Sequence, residues 1–289
     1  MDLRPRTLGE ILDDACRCAL ADAPLLLLFK TLFLLPSFTL LLFLLAEPTP
    51  LGIAKVWLPA IAALSLPLTG CSSGACQELF RRRAVGTSVE VRSCIGGALH
   101  RGVDHAAARA TMLVLTLPGP LMLLACFLPD ASPILRFLGF LFGSLLTLLL
   151  CMPLWSATTS LHPLLSAASP REDSLPSELR REAIAAPGKA ALLVFLRVPL
   201  LFLLVVQLHL LGKIVLWAAD NLAGLDTALL DVELQFFGNP VYTLALFLVG
   251  WLLLSPFFEA CDFLLHTDIR TRQEGLDLQY RVQRLLTTR

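Results

Sequence analysis

Six stretches of this chain are too long and too apolar to be surface elements of a water-soluble fold, and they constrain it more than anything else. They run approximately Leu25 to Leu45, Val56 to Cys76, Ala106 to Leu128, Ile134 to Thr158, Ala190 to Ala218 and Val241 to Leu265. Each reaches the roughly 20 residues that a helix needs to cross a hydrocarbon core about 30 Å thick. Charged residues make up 16% of the 289 residues and hydrophobic ones 56%, whereas a soluble domain carries about 25% charged side chains. The expected fold class is an all-α integral membrane protein, one six-span domain over residues 1–289. The first apolar run follows a segment rich in acids and lacks a small-residue cleavage site, so the first span is expected to remain in the mature protein.

Net charge is zero, but its distribution is not even. Of the 23 Lys and Arg, 17 lie in the N-terminal segment, the 79–105 loop, the 159–189 loop and the tail after residue 265. The opposite connections hold Lys55 and Arg136. By the positive-inside bias, both termini and the basic 266–289 tail are expected in the cytoplasm of a bacterial inner-membrane protein. On that topology, seven of the eight cysteines lie within the membrane or at its reducing side and Cys126 alone lies near the outer face, so no structural disulfide is expected.

The segment before the first span is polar. Leu8, Ile11, Leu12, Ala15 and Ala19 share an arc of about 100° at helical spacing, with Glu10, Asp13, Asp14 and Arg17 on the other side. Thr7 and Glu10 have the spacing of a capping box. Residues 7–22 are therefore expected to form an amphipathic helix lying along the interface, with Pro24 marking a bend into the first span. Thr87 and Glu90 repeat the box before Val91, Ile95 and Ala98, and a poorer copy starts at Ser174. Each returning span carries a proline, at Pro67, Pro153 and Pro256, and Arg81 and Arg270 each lie 14 residues beyond theirs. The pattern is that of three hairpin repeats, each led by an interfacial helix on the cytoplasmic side. Gly70 and Gly74, and Gly139 and Gly143, have the GxxxG spacing of closely packed membrane helices. Asp220 to Pro240, acidic without a basic residue, reads as a short helix resting on the outer leaflet.

Chemistry-bearing motifs are few. Gly70 to Gly74 reads GCSSG, the spacing of a nucleophile elbow, but the strand, helix, acid and histidine that such a serine needs are missing, so Ser72 is assigned to packing. Ionisable groups inside spans are functional candidates by default, and a polar layer of Lys30, Arg109, Arg197, Gln207, His209, Glu259 and Asp262 is expected. Salt bridging or snorkelling competes there with a solute or proton route. His209 also suits an interhelical hydrogen bond, and Glu259, Asp262 and His266 share one helix face, read as a solvated helix end rather than a metal site for want of a second ligand set. No catalytic, cofactor-binding or metal-ligating residue is assigned. Arg270, Arg272, Arg281 and Arg284 suit contacts with anionic lipid head groups. Charge and motifs give no reason to expect nucleic acid as a partner.

Two segments, LRPRTLGEILDDACRCAL at the start and TDIRTRQEGLDLQ after the last span, resemble the ends of a bacterial group of multispan proteins. That group is related to the membrane domain found beside glycerophosphodiester phosphodiesterase catalytic domains. The resemblance implies a membrane module without catalytic activity, in contact with the bilayer and with other envelope proteins or further copies of itself. It does not imply phosphodiesterase activity: His100 to Gly102 spells the HRG of the catalytic family, but no later ENT element and no alternating strand and helix pattern accompany it. The expected function is a noncatalytic scaffold or subunit of an envelope complex, with a small-solute or lipid transporter as the alternative.

Overall fold

The computed structural model describes residues 6–46, 51–116, 133–147, 159, 161–167, 185–224, 226 and 239–273. Among them there is no strand, and the helices are α1 (Leu8–Ala21), α2 (Ala23–Ala46), α3 (Leu51–Val85), α4 (Val91–His100), α5 (Gly102–Thr116), α6 (Pro133–Leu146), α7 (Leu161–Ala167), α8 (Pro187–Ala223) and α9 (Pro240–Gln273). Two helical stretches, Pro187–Ala223 and Ala245–Gln273, are long and apolar enough to cross a membrane, and a third span is available if Leu8–Ala21 and Ala23–Leu35 count as one bent pair. This is fewer than the six expected. The poor serine-led repeat at 174, Pro153, Cys126, most of the acidic outer segment and the tail beyond Gln273 lie outside the described residues.

The membrane character is plainest in α8. Its most apolar window has a mean hydropathy of 2.5, yet only 22% of that window is buried. Phe195, Phe202, Leu203, Leu210, Ile214 and Trp217 all project outward. An apolar surface of this extent requires an apolar surround. α6 repeats the pattern, with Phe137, Phe140 and Phe142 exposed.

Packing is concentrated at one end of the bundle. α9 exposes Val249 and Leu253, but from Ser255 to Asp268 its side chains are buried apart from partly exposed Phe257 and Thr267. There it meets α1, α2, α3 and α8. The core at this end includes Ile11, Leu26, Phe29, Ala75, Leu79, Leu193, Leu264 and Ile269. Inside a bilayer apolar burial gives little drive for helix association, so close contact must supply it. Gly70 and Gly74 provide such contact: a Cβ at Gly70 would stand 2.6 Å from the His105 carbonyl oxygen, and one at Gly74 would stand 2.6 Å from the His105 ring. The GCSSG stretch is thus the groove in which α5 lies on α3. Pro256 withholds a hydrogen bond from Leu252, and the Ser255 hydroxyl donates to that carbonyl at 3.4 Å.

α1 begins as its sequence dictates. The Thr7 Oγ1 accepts from the Glu10 N–H at 3.3 Å, and Glu10 Oε2 accepts from the Thr7 N–H at 2.7 Å. The chain then turns by 78° into α2 at Asp22, which Arg83 at the end of α3 holds at 2.7 Å. One expectation is overturned here. The apolar stripe of α1 does not lie on lipid: Ile11 and Ala15 are fully buried and Ala19 is nearly so, because the helix docks on the extended end of α9.

The second capping box does not form. α3 ends in a Schellman motif, with Gly86 at φ +75° and N–H groups of Gly86 and Thr87 donating to Arg83 and Arg82 carbonyls at 3.1 and 3.0 Å. The Thr87 hydroxyl also donates to the Arg82 carbonyl. Thr87 therefore closes the helix before it, and α4 starts only after Glu90, which caps it without a side-chain bond.

Candidate functional site

At the packed end, α9 presents Ser255, Glu259, Asp262 and His266 on one face, the spacing that stacks side chains along a helix. All four are buried, so the solvated helix end expected for Glu259, Asp262 and His266 is not what forms. Protein covers the face because α2, α3 and α8 close around it.

Glu259 lies at the centre. Its Oε1 accepts from Lys30 Nζ of α2 at 3.0 Å and from the Ser73 hydroxyl of α3 at 2.5 Å. Its Oε2 accepts from Gln77 Nε2 at 3.0 Å, and the same amide donates to the Glu259 backbone carbonyl at 3.0 Å. Ser73 and Gln77 are four residues apart on α3 and so reach the carboxylate from one face. One turn along, Asp262 accepts from Arg197 of α8, whose guanidinium also lies 5.4 Å from the centre of the Phe258 ring. Two acid–base pairs thus tie α9 to α2 and α8, and the hydrogen bonds to α3 complete the cross-brace. A buried charge is tolerable only when paired and hydrogen-bonded, and Glu259 is bonded on both oxygens.

The remaining members of the expected layer are placed differently. Arg109 stands within electrostatic reach of Glu259, Asp262 and Arg197. Gln207 is exposed on α8, and about 15 Å of helix separates it from Arg197. His209 forms a hydrogen bond at 3.0 Å between its Nδ1 and the Tyr242 hydroxyl of α9, the interhelical bond that its position allowed. Among the lipid-contact candidates, Arg270 is exposed, Arg272 lies 3.2 Å from Asp268, and Arg281 and Arg284 lie outside the described residues.

Asp268 anchors a second cluster. Its fully buried carboxylate accepts from the Arg6 backbone N–H at 2.7 Å and from Lys189 Nζ at 2.9 Å. Lys189 and Arg272 also donate to the Arg6 carbonyl. Arg6 and Asp268 are 262 residues apart in sequence, so segments far apart in the chain meet around one aspartate.

A third polar group went unread in the sequence. His105 of α5 and His162 of α7 stack with centroids 5.4 Å apart and Nδ1 atoms 3.1 Å apart. Such a contact needs one ring to donate and the other to accept. Near them, Glu78 lies at the end of α3, where Arg81 donates to both of its oxygens, at 2.7 and 2.8 Å, and Arg82 donates at 2.8 Å. Burial would raise the Glu78 carboxyl, but these two guanidiniums outweigh it and hold it below its ordinary range. Glu78 thus pairs within its own helix end and does not join the charge layer.

The six cysteines among the described residues are free thiols, and among those residues no group of three or more His, Cys, Asp or Glu is placed to hold a metal ion. Comparison with family models, curated proteins and solved structures finds no match to this chain.

Proposed function

We propose that this chain is a noncatalytic, six-span integral protein of a bacterial cytoplasmic membrane, with both termini inside, acting as a scaffold or subunit of an envelope complex. The observation that carries the reading is the saturation of Glu259 by Lys30, Ser73 and Gln77, with Arg197 on Asp262 beside it. A carboxylate that moves a solute or proton has to exchange partners, whereas this one is held by side chains of α2 and α3 at once. Both Glu259 oxygens are bonded, while Gln77 Oε1 beside them has no hydrogen-bond partner among the described residues, and bonded buried polar groups rigidify a bundle. The meeting of the Arg6 and Asp268 segments supports placing the chain with the multispan group that its ends resemble, since it gives both signature segments one structural task. The three-hairpin layout draws on the basic loops and on Pro67 and Pro256 inside α3 and α9.

The transporter alternative draws on Arg109, a cation of the same layer with no ion pair among the described residues. Reconstitution into liposomes separates the two. The scaffold reading expects no solute flux above protein-free vesicles and, in native membranes, migration of the chain within a larger assembly. Flux that an Arg109→Leu substitution abolishes would favour the transporter. A reporter fused after Arg83 is expected to be active on the cytoplasmic side, and activity outside would overturn the topology.

A further inference from the structure

Between the end of α3 and helices α4, α5 and α7 lies a cavity of about 190 Å³. At a liquid-water share of about 30 Å³ per molecule it could hold roughly six waters, enough for a phosphoryl group with part of its hydration. Arg81, Arg82 and Arg101 line it, together with Ser93, His105 and Ser166. Among the described residues Glu78 is the one acid in the lining, and its two oxygens are already taken by Arg81 and Arg82. Among the described lining residues, three guanidiniums stand against one carboxylate.

The donors are also held in place. Glu78 fixes the forks of Arg81 and Arg82, and a guanidinium has five N–H groups, more than Glu78 takes from either. Arg101 is tied to the Leu165 carbonyl, and the His105 ring is packed against Gly74. The Ser166 hydroxyl is buried in this wall without a hydrogen-bond partner. A buried hydroxyl left unbonded is costly, and an oxygen-rich anion would satisfy it. Fixed arginine forks match the geometry of phosphate oxygens and bind them in pairs. Exposed Leu99 and Val103 flank His100 and Arg101 in the chain. Basic pockets between membrane helices bind anionic lipid head groups in this manner.

We propose that this cavity binds a phosphate-bearing anion, supplied either by the head group of an anionic phospholipid or by a free phosphate, independently of whether the chain is a scaffold. The full-length protein is purified, stripped of lipid and probed in two arms. Phosphatidylglycerol diluted into phosphatidylcholine nanodiscs is followed by native mass spectrometry, and inorganic phosphate is titrated by calorimetry. One salt-sensitive site per chain is expected in one arm, and the arm that shows it identifies the source. Arg82→Gln and Arg101→Gln should each weaken it about tenfold or more, the effect of losing a charge-assisted hydrogen bond. Ser166→Ala, which leaves every ion pair intact, should weaken it several-fold, so the test survives if Arg101→Gln does not fold. Arg92→Gln, an exposed α4 position outside the cavity, should leave binding unchanged. Binding in neither arm, or equal loss in Arg92→Gln and Arg82→Gln, would overturn the assignment.

Discussion

Replacing Lys30 by methionine removes one charge from the buried brace and keeps the length of the side chain. Lys30 is 3% exposed and Glu259 9% exposed, so water cannot readily replace the lost ammonium. Breaking a buried pair by deleting one partner costs about 3–5 kcal/mol, because the other charge is left uncompensated. Glu259 would keep the Ser73 and Gln77 bonds, which places the expected loss near the lower end, at about 3 kcal/mol. The double variant Lys30→Met with Glu259→Gln removes both charges and keeps an acceptor for Ser73. It should lie within about 1 kcal/mol of wild type, since exchange of a whole buried pair is often close to neutral. The coupling between the two sites is therefore expected to be at least about 2 kcal/mol, and larger by whatever Glu259→Gln costs alone. Reversible unfolding in mixed micelles, titrated with a denaturing detergent, measures all three. A Lys30→Met cost below about 1 kcal/mol, or a double variant as unstable as the sum of the singles, would refute a structural clamp.

Gly74→Ala and Gly70→Ala should each destabilise the protein by about 1–3 kcal/mol through overpacking against His105. Gly96→Ala, with nothing within 4 Å of its added methyl, should be neutral or stabilising by up to about 1 kcal/mol. The same unfolding assay separates them. Asp268→Asn should free the N-terminal helix, seen as faster amide exchange across residues 8–21 with little change in α8, and equal acceleration in both would argue against a local anchor. Thr7→Ala should cost about 1 kcal/mol by removing one half of the capping box. The Glu78 carboxyl is held below its ordinary value of 4.5. Its contribution is therefore present above that value and lost as pH falls through the lowered one, so a Glu78→Gln variant should show a shallower loss of stability on acidification than wild type.

The sequence makes the lead helix legible down to its cap, because Thr7, Glu10 and the 3.6-residue stripe are local signals. It does not reveal what the stripe packs on. Apolar periodicity says that Ile11 and Ala15 are covered, and lipid and a protein helix cover them equally well. Lys30, Arg197, Glu259 and Asp262 stand out as charges in apolar runs, but Ser73, Gln77 and His105 are ordinary residues there, and only the approach of α2, α3, α5 and α9 makes partners of them. Gln207 shows the converse: a polar residue in a span suggests a lining, yet the rotation of α8 leaves it outside. Thr87 with Glu90 carries the spacing of a box, and Gly86 immediately before them is the competing signal, since a left-handed glycine ends one helix and engages the residue that would start the next.

Thiol accessibility tests the dry, interlocked charge layer most directly. Cys76 is fully buried within electrostatic reach of Lys30 and Glu259, while Cys16 is exposed on α1. A small, charged, membrane-impermeant thiol reagent applied to the folded protein, with sites read by peptide mass spectrometry, is expected to modify Cys16 fully and Cys76 only after unfolding. Labelling of Cys76 at a rate close to that of Cys16 would mean that water reaches the layer, and the structural reading of these charges would be wrong.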